Sequence, residues 1–278
     1  MPWDPDFCAR SPMFEPLRAT AGALLGPYWP GYVELNRSIA SRRAPIVTAG
    51  GWPLRFVEQQ VRPKRFEDKY EARIFLRGEV QLRSCNWHDL FNALVWLRFP
   101  SAKAALNQRH YRELERQRAS GVHDRGPAQD ALTLLDEGGV IVVTSDPALV
   151  ALLAAFEWKT LFWQRRAEVL QRMRFYLFGH ALYEKALAPF TGVTGRGVMF
   201  EVEDAFFALP LDAQLPALDA QLAARISDAA RFAATRELTP VPILGVPGWC
   251  DDNAREQYYE NLDYFRPPRT GSLGPSTP

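Results

Sequence analysis

The chain has 278 residues, with 33 Lys and Arg against 32 Asp and Glu, a net charge of +1. That near balance argues against a dedicated nucleic-acid binder, whose footprint is a clear basic excess, while leaving room for a local basic patch. A hydrophobic share of 47% and a charged share of 23% suit a soluble globular protein whose length allows a sizeable core. Cys8, Cys85 and Cys250 lie far apart and are odd in number, so neither a disulfide framework nor a metal knuckle is expected, and a reducing compartment suits them. The opening MPWDPDFCAR has no basic region followed by an apolar one, as a signal peptide would. The longest apolar stretch, 140–156, is broken by Asp146 and Pro147. The expectation is a cytoplasmic protein with no membrane partner.

In chain order, residues 1–30 are rich in proline and aromatics and read as a segment with short helical turns that wraps over the body. Residues 31–43 have helical spacing at Val33, Leu35 and Ile39, and Leu54–Glu58 alternates as a short strand does. Tyr70, Ile74 and Phe75 mark one face of a helix that Gly78 ends. A further helix starts at Asn86, a good N-cap, with Asp89 in its first turn, where the orphan amides and helix dipole favour an acid. Pro100 ends that helix and begins a long charged one. A helix before Gly138-Gly139 leads into the β-branched strand GVIVVTS. A helix capped by Asp146 follows, then one or two more, then the strand MRFYLFG, the short helix HALYEKAL, a glycine-rich turn into a third strand, and an amphipathic helix from residue 211. The rest is irregular and aromatic. The expected fold is α+β: a predominantly helical single domain, 51–268, with a small sheet of three or four strands, a wrapping segment at 1–50 and a disordered tail at 269–278.

The residues with chemistry to offer sit within these elements. His88 and Asn92 are one helical turn apart, as are His180 and Glu184, so each pair shares a helix face. His180 also falls where a strand passes into a helix, a common place for sites in layered α/β structure. Histidine beside a carboxylate or amide at that spacing can bind a metal or orient an imidazole for proton transfer. His110, Asp136 and Glu137 are candidates to complete such a cluster. Against this, no HExxH occurs, and an isolated histidine near a helix start is commonly a surface or capping group. His110 and His123 read more readily as structural. Cys85 precedes His88 by three residues, but catalytic cysteine–histidine pairs are assembled by the fold, so Cys85 reads as a small buried residue. Arg125 is placed to lock Asp130 or Asp136. An acidic pair before a double glycine opposes the helix dipole and asks for a compensating cation. TGVTGRG lacks the Walker ending and reads as a plain turn.

The block NWHDLFNALVWLRFPSAKAALNQRH, with YEARIFLRGEV before it and RGPAQDALTLLDEGGVIVV, FGHALYEKALAPFTGVTG and LGVPGW after it, resembles the bacterial domain-of-unknown-function 3025 family, from roughly Trp52 to Pro267. The resemblance implies one cytoplasmic bacterial domain and supplies no mechanism. Polar positions within the matching blocks are Glu71, His88, Asp89, Asn92, Asn107, Asp130, Asp136, Glu137, His180 and Glu184.

Two functions compete. In the first, His88, His180, Asn92 and Asp136 are the catalytic residues of a polar cleft, Glu137 and Glu184 can bind a divalent metal, and the enzyme is a hydrolase. A nuclease-like version uses the basic helix after Pro100 to lie along phosphates. In the second, the same groups form a buried polar network in a binding or interaction protein.

Overall fold

The computed structural model describes residues 1–24, 26–59, 65–121 and 124–267. The expected tail at 269–278 and His123 lie outside them. Two 3₁₀ turns, Phe7–Ala9 and Pro12–Leu17, lead into α1 (Arg18–Gly22) and α2 (Tyr32–Ala40). β1 (Arg55–Glu58), α3 (Tyr70–Arg77) and β2 (Glu79–Leu82) form a strand–helix–strand unit whose strands pair in parallel, Arg55 opposite Glu79 and Glu58 opposite Leu82. Gly78 caps α3 in the left-handed region, φ +70°, and a Cβ there would lie 2.1 Å from the Pro53 carbonyl oxygen. Only glycine meets both demands. Then come α4 (Trp87–Arg98), α5 (Pro100–Ser120) and α6 (Pro127–Gly138), followed by β3 (Gly139–Thr144), α7 (Pro147–Ala154), α8 (Arg166–Arg172), β4 (Met173–Leu177), α9 (His180–Ala186), β5 (Thr194–Glu201), α10 (Leu211–Ser227) and β6 (Thr239–Pro242). The fold is α+β, as expected.

The four-stranded sheet runs β4-β3-β5-β6. β3 is central and buried along its whole length, as its Val and Ile run requires. It pairs antiparallel with β4 and parallel with β5. β6 carries Pro240 and Pro242 and sits at the edge, the position where strand prolines are tolerated. Those prolines hide β6 in the sequence, and β2 is hidden by its length of four residues.

The antiparallel β3–β4 pairing positions the site. Val140 near the start of β3 faces Leu177 at the end of β4. The C-terminus of α6 and the N-terminus of α9 therefore meet at one end of the sheet. There, the amides of Phe178 and Gly179 both donate to the Gly139 carbonyl at 2.9 Å. A Cβ at Gly179 would lie 2.4 Å from the Glu137 carbonyl oxygen and 2.4 Å from the Gly139 nitrogen. Gly179→Ala is therefore expected to cost about 1–3 kcal/mol, as overpacking against backbone does. Urea unfolding reads that loss, and an unchanged midpoint would contradict so close an approach.

The N-terminal turns buttress the same region from behind. Phe7 packs edge-on against Trp87 and Phe91, and Phe14 stacks on Phe91 and Tyr183. These rings join α4 to α9, where aromatic pairs add specific geometry to buried area. Asp219 of α10 accepts from the amides of Ser101 and Ala102 at 3.0 and 2.8 Å. It thus caps α5, whose own preceding residue, Phe99, has no capping side chain.

Candidate active site: a histidine pair in a polar cleft

His88 sits in the first turn of α4, a helix started by Asn86, whose side chain accepts from the Asp89 amide. Asp89 in turn binds the Arg83 guanidinium with both oxygens, at 2.9 and 2.7 Å. That bond holds the entry to α4 and gives Asp89 a structural role. On α9, His180 and Glu184 share one face and clamp the His88 ring between them. The Nε2 atoms of His180 and His88 are 3.0 Å apart, and His88 Nδ1 lies 3.0 Å from Glu184 Oε2. His180 Nδ1 lies 2.8 Å from the backbone carbonyl of Asp136. The expected convergence of His88, His180 and an acid in one cleft is therefore present in the geometry.

Hydrogen-bond accounting constrains the pair. A carboxylate and a carbonyl only accept, so both Nδ1 atoms carry hydrogen. If both rings were neutral, two Nε2 lone pairs would face each other at 3.0 Å. One proton must lie between them, making the pair an imidazole and an imidazolium. Burial pushes the His180 pKa down to about 4 despite the favourable Asp136 carboxylate. The neutral His180 Nε2 is therefore the acceptor of this contact and the half-buried His88, with the Glu184 carboxylate on its other side, the donor.

Below this pair lies a buried ionic network. Lys103, 4% exposed, bonds to the Asp136 carboxylate and donates to Asn92 Oδ1 at 2.9 Å. Asn92 Nδ2 donates to the Tyr70 hydroxyl at 2.6 Å, and the ammonium lies 5.6 Å from the centre of the Trp96 ring. Burial raises the Asp136 pKa, but the Lys103 ammonium outweighs it and holds the carboxyl below its ordinary value. The cation that the acidic end of α6 required is thus Lys103. Nothing marks it in sequence, because it is one of several cations on a charged helix. Arg125 goes to Asp130 at 3.4 Å and to Thr133 at 2.6 Å.

The other expectations are sorted by placement. Asn92 lies one turn from His88 but faces Lys103 and Tyr70, so it positions the network. Glu184 is the orienting carboxylate of His88. Glu137 is exposed on the cleft rim, because successive helix residues point about 100° apart. Among the described residues no three or more His, Cys, Asp or Glu side chains converge as a metal cluster. Cys85 is exposed instead of buried and faces a different, smaller cavity beside Trp29 and Tyr32. Of the cations of α5, Lys103 goes to Asp136, Arg109 to the Ile226, Asp228 and Arg231 carbonyls, Arg116 to Glu113 and Arg118 to Glu67, while the exposed Arg112 has no ion pair among the described residues.

The cleft encloses about 610 Å³ and is lined by His88, His110, His180, Asp136, Glu71 and Tyr70 among others. The model of the family described as a protein of unknown function, DUF3025, matches residues 54–269. The chain belongs to this family. Nothing among the curated proteins and nothing among the solved structures matches it. Every residue of the DUF3025 cleft named above lies within the matched span, and the aromatic buttress of Phe7 and Phe14 lies outside it. No helix among the described residues is long and apolar enough to cross a membrane.

The buried histidine of this DUF3025 protein makes its stability pH-dependent. The unfolded chain takes up the His180 proton near 6.5, the folded chain only near 4. Between those values the unfolded state holds more protons, so stability falls as pH falls, by about 3 kcal/mol in all. Urea unfolding from pH 7 to pH 4 reads the slope. His180→Asn should flatten it, and an unchanged slope would contradict a buried neutral ring.

Proposed function

We propose that this protein is a hydrolase in which His180 and His88 act as a general base and general acid, a metal-independent version of the reading from sequence. The observation that carries it is the face-to-face Nε2 contact at 3.0 Å, opening on a polar cleft. With substrate in the cleft the half-buried His88 ring swings off the contact, which frees the single lone pair of His180 Nε2 to take a proton from water as the water oxygen bonds to the electrophilic carbon. His88 Nε2 delivers its proton to the leaving atom as that bond breaks. The direct contact then returns the proton from His180 to His88 and resets the pair. Glu184 orients His88 and stabilises its charge. The Asp136 carbonyl fixes the His180 tautomer, and Lys103 holds Asp136 in place. Three widely spaced cysteines fit a cytoplasmic setting, which belongs to the same proposal.

The test is a panel of chromogenic esters and amides hydrolysed by the wild-type protein and by His180→Ala, with chelator present. Hydrolysis that survives the substitution, or that the chelator abolishes, would defeat this reading. The alternative is a binding protein whose buried network only fixes the fold. The Lys103–Asp136–Asn92–Tyr70 chain favours that alternative for those four residues, since each is fully used within the protein.

A further inference from the structure

A second group of polar side chains lines the same cleft without joining the histidine pair. Glu71 stands in the first turn of α3, and Asn107 and His110 share a face of α5. Asn107 Nδ2 donates to Glu71 Oε2 at 2.7 Å and to the Glu71 carbonyl at 2.9 Å. Oε1 of Glu71 makes no hydrogen bond among the described residues. His110 is only 6% exposed and lines the cleft, and its ring makes no hydrogen bond among the described residues. A buried imidazole at a cleft wall with no partner among the described residues is free to bond a ligand in the cleft.

The charges around it define the ligand. Five carboxylates line the cleft, Asp68, Glu71, Asp89, Asp136 and Glu137, against the guanidiniums of Arg83 and Arg125. Arg83 is spent on Asp89 and Arg125 on Asp130, while Lys103 behind the wall is spent on Asp136. Among the described residues no cation is bonded to Glu71. Burial raises the Glu71 pKa, so the carboxylate gains from a positive charge placed beside it. An anion would meet an acidic wall. A large apolar group would find only Tyr70.

We infer that Glu71 and His110 form the seat of a protonated amine, so that the cleft takes a small amine-bearing ligand. The ammonium donates to the free Glu71 oxygen and to a ring nitrogen of His110. This deepens the hydrolase proposal by naming the charge its substrate carries, and it rests on that reading only for the reaction, not for the binding.

The probe is 1,4-diaminobutane, titrated by calorimetry at fixed ionic strength with chelator present, beside 1,4-butanediol and succinate. The diamine should bind and the diol and succinate should not. Glu71→Gln keeps an acceptor for Asn107 and should weaken diamine binding about tenfold or more, the scale of a lost charged hydrogen bond. His110→Gln should weaken it severalfold and decides the matter if Glu71→Gln fails to fold, which its melting curve reports. Cys85→Ala, at the other cavity, should leave the affinity within about twofold. The inference is overturned if the diol or succinate binds as well as the diamine. It is equally overturned if the diamine fails to bind at tens of millimolar, or if the two seat variants bind it unchanged. An inactive protein that still binds the diamine through Glu71 keeps this inference and loses the hydrolase proposal.

Discussion

His180→Ala and His88→Ala are each expected to lower turnover of a hydrolysed substrate by about two to four orders of magnitude, the usual contribution of a positioned acid or base. The two rings work through one shared proton. The double variant should therefore lose little more than either single one, as groups acting as a unit do. The pH profile separates their roles. His180 must be neutral to accept a proton, and burial has pushed its pKa down to about 4. The acid limb of activity should accordingly lie near pH 4, with rate falling as pH falls through it. Glu184→Gln removes the carboxylate beside His88 Nδ1 and should lower turnover, since the ring loses the group that orients it. Steady-state rates against pH measure both. Additive losses, or an acid limb at the ordinary histidine value, would contradict a shared-proton pair.

Lys103→Met should destabilise the folded protein by about 3–5 kcal/mol, the cost of leaving one member of a buried ion pair alone. Methionine matches the stem of lysine, so the loss comes from charge and hydrogen bonding, not volume. Asp136 would keep a carboxylate that is only 17% exposed, with no cation bonded to it, and Asn92 Oδ1 would lose its donor. Adding Asp136→Asn removes the stranded charge, so the double variant should recover part of the loss. Urea unfolding of the three proteins measures the cycle. A Lys103→Met loss below about 1 kcal/mol would place the pair among weakly contributing surface bridges instead.

Local spacing made part of the site legible in the sequence. His180 with Glu184, and His88 with Asn92, are one turn apart, and helix geometry alone puts each pair on one face. Their meeting across 92 residues was not legible, because it depends on the β3–β4 register and on Gly179 admitting the α6 backbone. Lys103 was hidden because a buried cation looks like a solvated one until its partner is known. Glu137 stood beside Asp136 in sequence, yet a helix sends neighbouring side chains in different directions. Glu71 and His110 drew attention as polar groups in apolar blocks, but α3 and α5 had to pack before they became one wall. Most helices and the three clearest strands followed from periodicity and caps. The edge strand β6 did not, because its prolines are tolerated only at the position that the sheet gives it.

The central claim is that His88 carries the proton it shares with a neutral His180. Nitrogen-15 NMR of the ring nitrogens, followed from pH 5 to pH 8, tests it most directly. The account predicts a neutral His180 throughout, protonated at Nδ1 and accepting at Nε2 from the His88 Nε2–H. His180→Ala should remove the His88 Nε2 coupling partner and alter only that signal set. A His180 ring that titrates near 6.5, or that carries its hydrogen on Nε2, would contradict the account.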